Sequence, residues 1–269
     1  MKEFVKEISK DLKVSKGEAE LILASLLDRP RFEIYFNDKI NDTTRKFLKM
    51  KLLQLKKGVP IEYITKKVFF LNYVLRIYPG VFIPRIETEY FIELLEKIPD
   101  FAPKEILEIG TGCGAISIAL AGVFSNAFII ATDISEIALS CARENIEACN
   151  LQNRVTLLRC NMFDGISKTF DLIVSNPPYI PRSRLQALPK SVKEFEPIIA
   201  IDGGDKGTRF LYKLIDAGMS YLKKKGIMAL EIDENQIKPL RRFLDSSISN
   251  HFSFKKDLFG RFRYLFIGT

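Results

Sequence analysis

Between Glu105 and Glu231 the chain alternates short apolar runs with amphipathic stretches, and few folds accept that order. EILEIG precedes ISIALAGVF, and AFIIATD precedes EIALSCARENIEAC. Then come VTLLRC, FDLIVSN, a helical stretch from Arg209 to Leu222, and GIMALEI. Apolar runs this short, without polar alternation, read as strands buried on both faces. Their interleaving with helices predicts an α/β domain, a mostly parallel sheet covered on both sides. The C-terminal FSFKKDLFGRFRYLFIG breaks the pattern: two β-like runs joined through Phe259-Gly260 predict an antiparallel hairpin at the sheet edge.

Upstream the periodicity changes. Val5, Ile8 and Leu12, then Ala19, Ile22, Leu23 and Leu26, recur at three- and four-residue spacing, so residues 1 to about 65 read as helical. Ser15 followed by Glu18 predicts a capping box. Thr43-Thr44 predicts the start of a further helix through Phe47, Leu48, Leu52 and Leu55, and Gly58-Val59-Pro60 ends the pattern. Residues 68–83 are β-branched and aromatic around a Pro79-Gly80 turn, which predicts a hairpin. The expected division is a helical domain over 1–67, a β-hairpin linker over 68–88 and an α/β catalytic domain over 89–269.

The first strand-to-helix junction is rich in glycine: Gly110-Thr111-Gly112-Cys113-Gly114. Glycines allow a tight turn and let backbone approach a ligand without Cβ interference. Asp133 ends the second strand, where a carboxylate can accept hydrogen bonds from ribose hydroxyls. This pattern suits an adenosine-containing cofactor, either a dinucleotide or S-adenosylmethionine. The turn alone does not choose between them, because Gly110-x-Gly112-x-x-Ala115 also satisfies the dinucleotide fingerprint.

Asn176-Pro177-Pro178-Tyr179 follows the fourth apolar strand, and ligands of open α/β sheets sit beyond the carboxyl ends of strands. Successive prolines hold an extended backbone that presents carbonyls without competing N–H groups. The Asn176 side-chain oxygen and the Pro177 carbonyl can together accept both hydrogens of a planar –NH2 group, with Tyr179 stacked on its flat face. Such a nitrogen is a poor nucleophile because its lone pair is delocalised. Two aligned acceptors would hold it in line with an activated methyl group and stabilise the charge developing on nitrogen, with no metal required. A protein that only binds adenosine has no use for such an arrangement.

These residues resemble class I methyltransferases acting on planar nitrogen, and further segments narrow the likeness. Ile83-Pro84-Arg85-Ile86-Glu87-Thr88-Glu89 is similar to the IPRPETE segment of the HemK/PrmC family of release-factor glutamine methyltransferases. Gly58–Ile64, Asp133-Ile134-Ser135, Phe195-Glu196-Pro197 leading to Asp202–Asp205, Leu230-Glu231-Ile232 near Gln236, and Lys256-Asp257-Leu258 with Gly260 and Arg263 agree as well. The resemblance covers nearly the whole chain. It implies a Rossmann-like seven-stranded sheet with an antiparallel last strand and a small all-α N-terminal domain. It also implies methyl transfer from S-adenosylmethionine to the glutamine amide of the Gly-Gly-Gln motif of class I peptide-chain release factors.

By the same resemblance, Gly110, Thr111, Gly112, Cys113 and Gly114 would line the methionine part of the cofactor, Asp133 the ribose and Met162 the adenine. Asn176 would border the cofactor, and Asn176, Pro177, Pro178 and Tyr179 would hold the glutamine amide. Arg85 and Glu87 would meet substrate or close the site, or else form a surface ion pair. The chain departs from the family at Ile86, where proline is usual, at Asn161, where an acid is common, and at Cys113, where Ser or Thr is frequent.

Charge and cysteine usage bound the alternatives. The net charge is +8, and residues 1–70 hold 16 Lys/Arg against 10 Asp/Glu, so most of the excess sits in the helical region. That region is expected to dock an acidic protein surface. An adenine-N6 methyltransferase on DNA or RNA would share the Asn-Pro-Pro-Tyr logic but would place a basic groove near the site, so no stable nucleic-acid binding is expected. A ribosomal-protein glutamine methyltransferase matches the Pro84–Glu89 segment less well. With four cysteines, no CxxC pair and His251 as the single histidine, no Cys/His zinc site is expected. MKEFVKEISKDLK lacks an apolar core for a secretory signal, and the uncharged Gly110–Thr132 stretch is broken by glycines and Ser125-Asn126. A cytoplasmic chain without membrane segments is the expectation.

Overall fold

The computed structural model describes residues 1–36, 40–247 and 251–268. In chain order the helices begin with α1 (Lys2–Leu12), α2 (Lys16–Leu27), α3 (Glu33–Phe36), α4 (Asp42–Lys56) and α5 (Ile61–Thr65). Strands β1 (Lys67–Phe70) and β2 (Tyr73–Arg76) lead to α6 (Ile86–Glu96), β3 (Glu105–Ile109), α7 (Ala115–Val123), β4 (Phe128–Asp133) and α8 (Glu136–Ala148). Next are β5 (Val155–Arg159), β6 (Phe170–Ser175), α9 (Lys190–Lys193), α10 (Arg209–Gly218) and β7 (Leu222–Glu231). The chain closes with α11 (Ile237–Ser247), β8 (Phe252–Lys256) and β9 (Phe262–Gly268).

The described residues form two compact units. One comprises Met1–Lys67 together with Pro189–Phe195, and the other Val68–Leu188 with Glu196–Thr269. Within the first, Ser15 accepts from the Glu18 amide at 3.2 Å while its own amide donates to the Glu18 carboxylate at 2.8 Å, the capping box read from the sequence. Phe4, Val5, Ile8, Ala19, Leu23, Leu26, Leu48 and Leu52 form its core. Helix α4 starts earlier than Thr43, because the Asn41 side chain caps it by accepting from the Thr44 amide at 2.8 Å. That start leaves Phe47 on the outer face, 41% exposed.

In the second unit, β1 and β2 do pair, but they turn at Leu71-Asn72. Pro79-Gly80 makes a separate turn in which the Val81 amide donates to the Tyr78 carbonyl at 3.1 Å, with Gly80 at φ +91°. Proline before a residue with positive φ favours an isolated type II turn, not the primed turns that close two-residue hairpins.

The large sheet runs β5-β4-β3-β6-β7-β9-β8. Strands β3 to β7 are parallel, and β9, last in the chain, is antiparallel to both of its neighbours. This is the seven-stranded arrangement expected, with one difference: the C-terminal hairpin is not wholly at the edge, since β9 lies inside and only β8 borders it. Tyr264, Leu265 and Ile267 on β9 are fully buried, as an interior strand requires. Leu107 and Ile109 pack with Leu211, Leu214, Leu240 and Leu244 of α10 and α11 on one face. Side chains alternate along a strand, so Glu108 turns to the other face, where it bonds Ser117 of α7.

Register decides what lies together. Ile109 is level with Thr132 and with Ser175, and Ser175 with Leu230. Gly110, Asp133, Asn176 and Glu231 therefore emerge side by side at the carboxyl edge. Among the described residues no helix is long and apolar enough to cross a membrane.

Candidate active site

A cavity of about 330 Å³ opens at that edge, a size suited to a small-molecule ligand. Its wall carries Gly110, Thr111, Gly112, Cys113, Asp133, Met162, Asn176, Pro177 and Pro178, nine of the residues singled out from the sequence. Gly114, Tyr179, Arg85 and Glu87 are not on it.

The turn after β3 is held from below by the Gly110 and Thr111 amides, which both donate to the Thr132 carbonyl at 2.9 and 2.8 Å. Gly110 and Gly112 have φ of +77° and +59°, and a Cβ on either would meet nothing within 4 Å, so bare backbone faces open space. Gly114, at φ +86°, instead packs against Ala142, where a Cβ would stand 3.3 Å from that residue's own Cβ. Its part is to start α7 close against α8. Asn145 on α8 fixes the turn from behind, donating to the Cys113 carbonyl and to the Arg76 carbonyl at 2.9 Å each and accepting from the Arg76 amide at 2.7 Å. Cys113 is buried and its thiol is pushed up by burial, so it is a packing residue, not a nucleophile.

The Asp133 carboxylate accepts from the Gly112 and Ser135 amides, each at 2.9 Å. Burial raises its pKa and those backbone bonds oppose the rise. The lone pairs left over can take hydroxyl donors. Glu108 lies fully buried on the wall; Thr111 and Ser117 donate to its Oε2, and among the described residues Oε1 has no hydrogen-bond partner. Desolvation pushes its pKa to about 7 against those hydrogen bonds. Nothing in the sequence patterning marks Glu108 as more than a polar residue within the EILEIG run.

Asn176 donates through Nδ2 to Thr88 Oγ1 at 3.1 Å. Among the described residues no hydrogen bond ends on its Oδ1 or on the Pro177 carbonyl, leaving the two acceptors the sequence pointed to. Tyr179 is placed differently from the expectation of a stacking ring on the wall. Its hydroxyl donates to Glu231 at 3.2 Å, and burial holds its pKa well above the usual phenol range. The strap after it is pinned by Gln236, whose amide nitrogen donates to the Tyr179 carbonyl at 3.1 Å and to the Gly207 carbonyl at 2.6 Å.

Arg85 meets neither solvent alone nor the cavity. It donates to Glu196, whose side chain is 1% exposed, and lies 4.9 Å from the Phe82 ring centroid. The Ile83 amide donates to the same carboxylate at 3.3 Å. Arg85 thus clamps the segment carrying Phe82 and Pro84 to the one carrying Pro197, and those three do line the cavity. The Glu87 carbonyl accepts from the Tyr264 hydroxyl at 2.6 Å. Among the described residues no cluster of three metal-ligating side chains occurs.

Comparison with known proteins agrees with this architecture. Residues 76–195 match the family described as Methyltransferase small domain. A methyltransferase from Pyrococcus furiosus superposes with a TM-score of 0.56 over 82% of this chain and 96% of its own, at 23% identity. A 16S rRNA N2 G1207 methyltransferase of T. thermophilus, solved with AdoMet and guanosine, gives 0.56 over 76% and 49%, at 18% identity. At these identities the likeness is one of fold. Release factor glutamine methyltransferases come closer in sequence. That of Rhodopirellula baltica is 34% identical over 80% of this chain and 76% of its own length, and that of Clostridium botulinum 34% over 92% and 90%. The Lactococcus lactis protein is 32% identical over 98% and 97%. Similarity at that level, sustained along three quarters or more of both chains, makes this chain a member of the release factor glutamine methyltransferase family.

Proposed function

We propose that the chain methylates the side-chain amide nitrogen of the glutamine in the Gly-Gly-Gln motif of class I peptide-chain release factors, using S-adenosylmethionine. The residues present fit that cofactor. Open backbone at Gly110 and Gly112 admits a ligand, Asp133 keeps acceptor capacity for ribose hydroxyls, and the unpartnered Glu108 Oε1 can accept from an ammonium group. Met162 gives the wall an apolar surface for adenine. When bound, S-adenosylmethionine supplies an electrophilic methyl carbon.

The chain's own residues then do the positioning. Asn176 Oδ1 and the Pro177 carbonyl accept the two hydrogens of the substrate amide, which turns its nitrogen toward the cavity and offsets positive charge as it forms there. Arg85 and Glu196 hold one rim in place. The positive excess of the helical unit suits an acidic protein partner.

The observation that carries this reading is the Asn176 side chain, with its donor end engaged and its acceptor end open at the cavity. The test offers release factor, a ribosomal protein and nucleic acid in parallel with S-adenosylmethionine labelled on its methyl group. Label is expected on the release factor and to vanish when its Gly-Gly-Gln glutamine is replaced. Label on nucleic acid alone would overturn the reading.

A further inference from the structure

Behind Asn176 runs a hydrogen-bonded chain that reaches well outside the Asn-Pro-Pro-Tyr segment. Thr88, in the first turn of α6, accepts from Asn176 Nδ2 at 3.1 Å and donates its own hydroxyl proton to Glu231 Oε2 at 2.8 Å. Tyr179 donates to the other oxygen, Oε1, at 3.2 Å. Thr88 is 3% exposed and Glu231 fully buried at the end of β7.

We propose that Thr88 and Glu231 are positioning residues for methyl transfer: the Glu231 carboxylate sets the direction of the Thr88 hydroxyl, and Thr88 sets which end of the Asn176 carboxamide faces the acceptor nitrogen. The inference rests on the reading above that Asn176 holds a substrate –NH2 group.

The physical need is specific. A carboxamide has an acceptor end and a donor end of nearly equal size, and nothing steric separates its two flips. The wrong flip would set –NH2 against –NH2, repelling the substrate and leaving its hydrogens without an acceptor. A threonine hydroxyl alone cannot decide, because it donates and accepts equally well. An ionised carboxylate only accepts, so with Glu231 at the far end every hydroxyl rotor must point toward it. Thr88 Oγ1 is then left with only its accepting side for Asn176, and Nδ2 must turn inward. A buried polar chain satisfied in one direction keeps that direction, since reversal would leave an unpaired donor in a place without water.

Glu231 is surrounded by groups that bear on its charge. Arg263 favours the carboxylate, while Glu87 disfavours it; Tyr179 and Tyr264 also face it, and Asp233 acts on Arg263. Burial is the largest influence and pushes its pKa up to about 7. A protonated Glu231 gains a donor, and the chain loses its fixed direction.

The test compares Thr88→Val, which keeps the shape and loses the hydroxyl, with Thr88→Ser, which keeps the hydroxyl and loses the methyl. Thr88→Val should lower kcat on release factor about tenfold, the worth of one buried hydrogen bond. The Kd for S-adenosylmethionine should stay within about twofold, because the lost interaction serves the acceptor amide. Thr88→Ser should retain kcat within about threefold. A second readout needs no acceptor: in 15N-asparagine-labelled full-length protein, the Asn176 side-chain amide resonance should move in Thr88→Val and stay in Thr88→Ser. Glu231→Gln, which cannot ionise, should remove any acidic fall-off in kcat near neutrality. Equal loss in Val and Ser, joint loss of kcat and cofactor affinity, or an unmoved Asn176 resonance would each overturn the inference. If the wild-type chain labels no release factor while the resonance shifts as expected, the release-factor reading fails and the orientation of the Asn176 carboxamide by Thr88 stands.

Discussion

Glu108 gives a test whose sign runs against the usual behaviour of carboxylates. Its folded-state pKa is raised from 4.5 to about 7, chiefly by desolvation. A carboxyl whose folded pKa lies above its unfolded pKa binds protons more tightly when folded. The stability tied to it is therefore fully present below pH 4.5 and is lost as pH rises toward and through 7. At 1.36 kcal/mol per unit, the full effect is about 3 kcal/mol. Glu108→Gln keeps the shape, and its oxygen can still accept from Thr111 and Ser117. It cannot ionise, so the variant should lack this term. Urea denaturation of both proteins at several pH values between 4 and 8 isolates it, because the other titrating groups cancel in the difference. Relative to wild type, Glu108→Gln should gain about 3 kcal/mol of stability from the acid to the alkaline end. A flat difference, or one that favours wild type at high pH, would refute a desolvated carboxyl at this position.

Two glycine substitutions separate a site residue from a scaffold residue. Gly112→Ala adds a Cβ where nothing stands within 4 Å, at φ +59°; it should cost about 1 kcal/mol in a thermal melt yet weaken S-adenosylmethionine binding at least tenfold by calorimetry, since the methyl enters the cavity. Gly207→Ala places a Cβ 2.3 Å from the Tyr179 carbonyl oxygen; it should cost roughly 2–4 kcal/mol by urea denaturation, because that strap cannot shift without breaking the Gln236 bonds.

The strand–helix alternation and the site's main pieces follow from local signals because each is local in cause. A glycine turn after a buried strand, an acid at the next strand end and Asn-Pro-Pro-Tyr at the fourth are each set by a few consecutive residues, and parallel pairing then brings their carboxyl ends level. Local rules mislead where they are satisfied and a more distant arrangement decides. Pro79-Gly80 is a sound turn, but Leu71, at φ +50°, already reverses the chain eight residues earlier. The β9 run is as apolar as an edge strand packed on one side, and only its insertion between β7 and β8 shows why Tyr264 is wholly buried. Segment 189–195 clusters with the N-terminal helices although it follows the Asn-Pro-Pro-Tyr strap in sequence, and nothing in its composition says so.

Arg85 and Glu231 show the limit most clearly. Arg85 reads in sequence as a residue that meets substrate, closes the site or forms a surface ion pair; its partner Glu196 lies 111 positions away and is buried, so the choice among these depends on a contact no spacing rule supplies. Glu231 reads in sequence as the polar end of an apolar strand, a place where charge usually meets water. Two features keep it dry: β9 covers its flank, with Tyr264 level with it, and α6 delivers Thr88 onto it. A carboxylate kept out of water must be repaid in donors, and the donors it found are Thr88, which Asn176 itself bonds, and Tyr179, three residues beyond Asn176 in the chain. The same burial that makes Glu231 costly thus gives it leverage over the asparagine. A polar residue closing a strand otherwise built for the interior is the signal by which such a residue can be found.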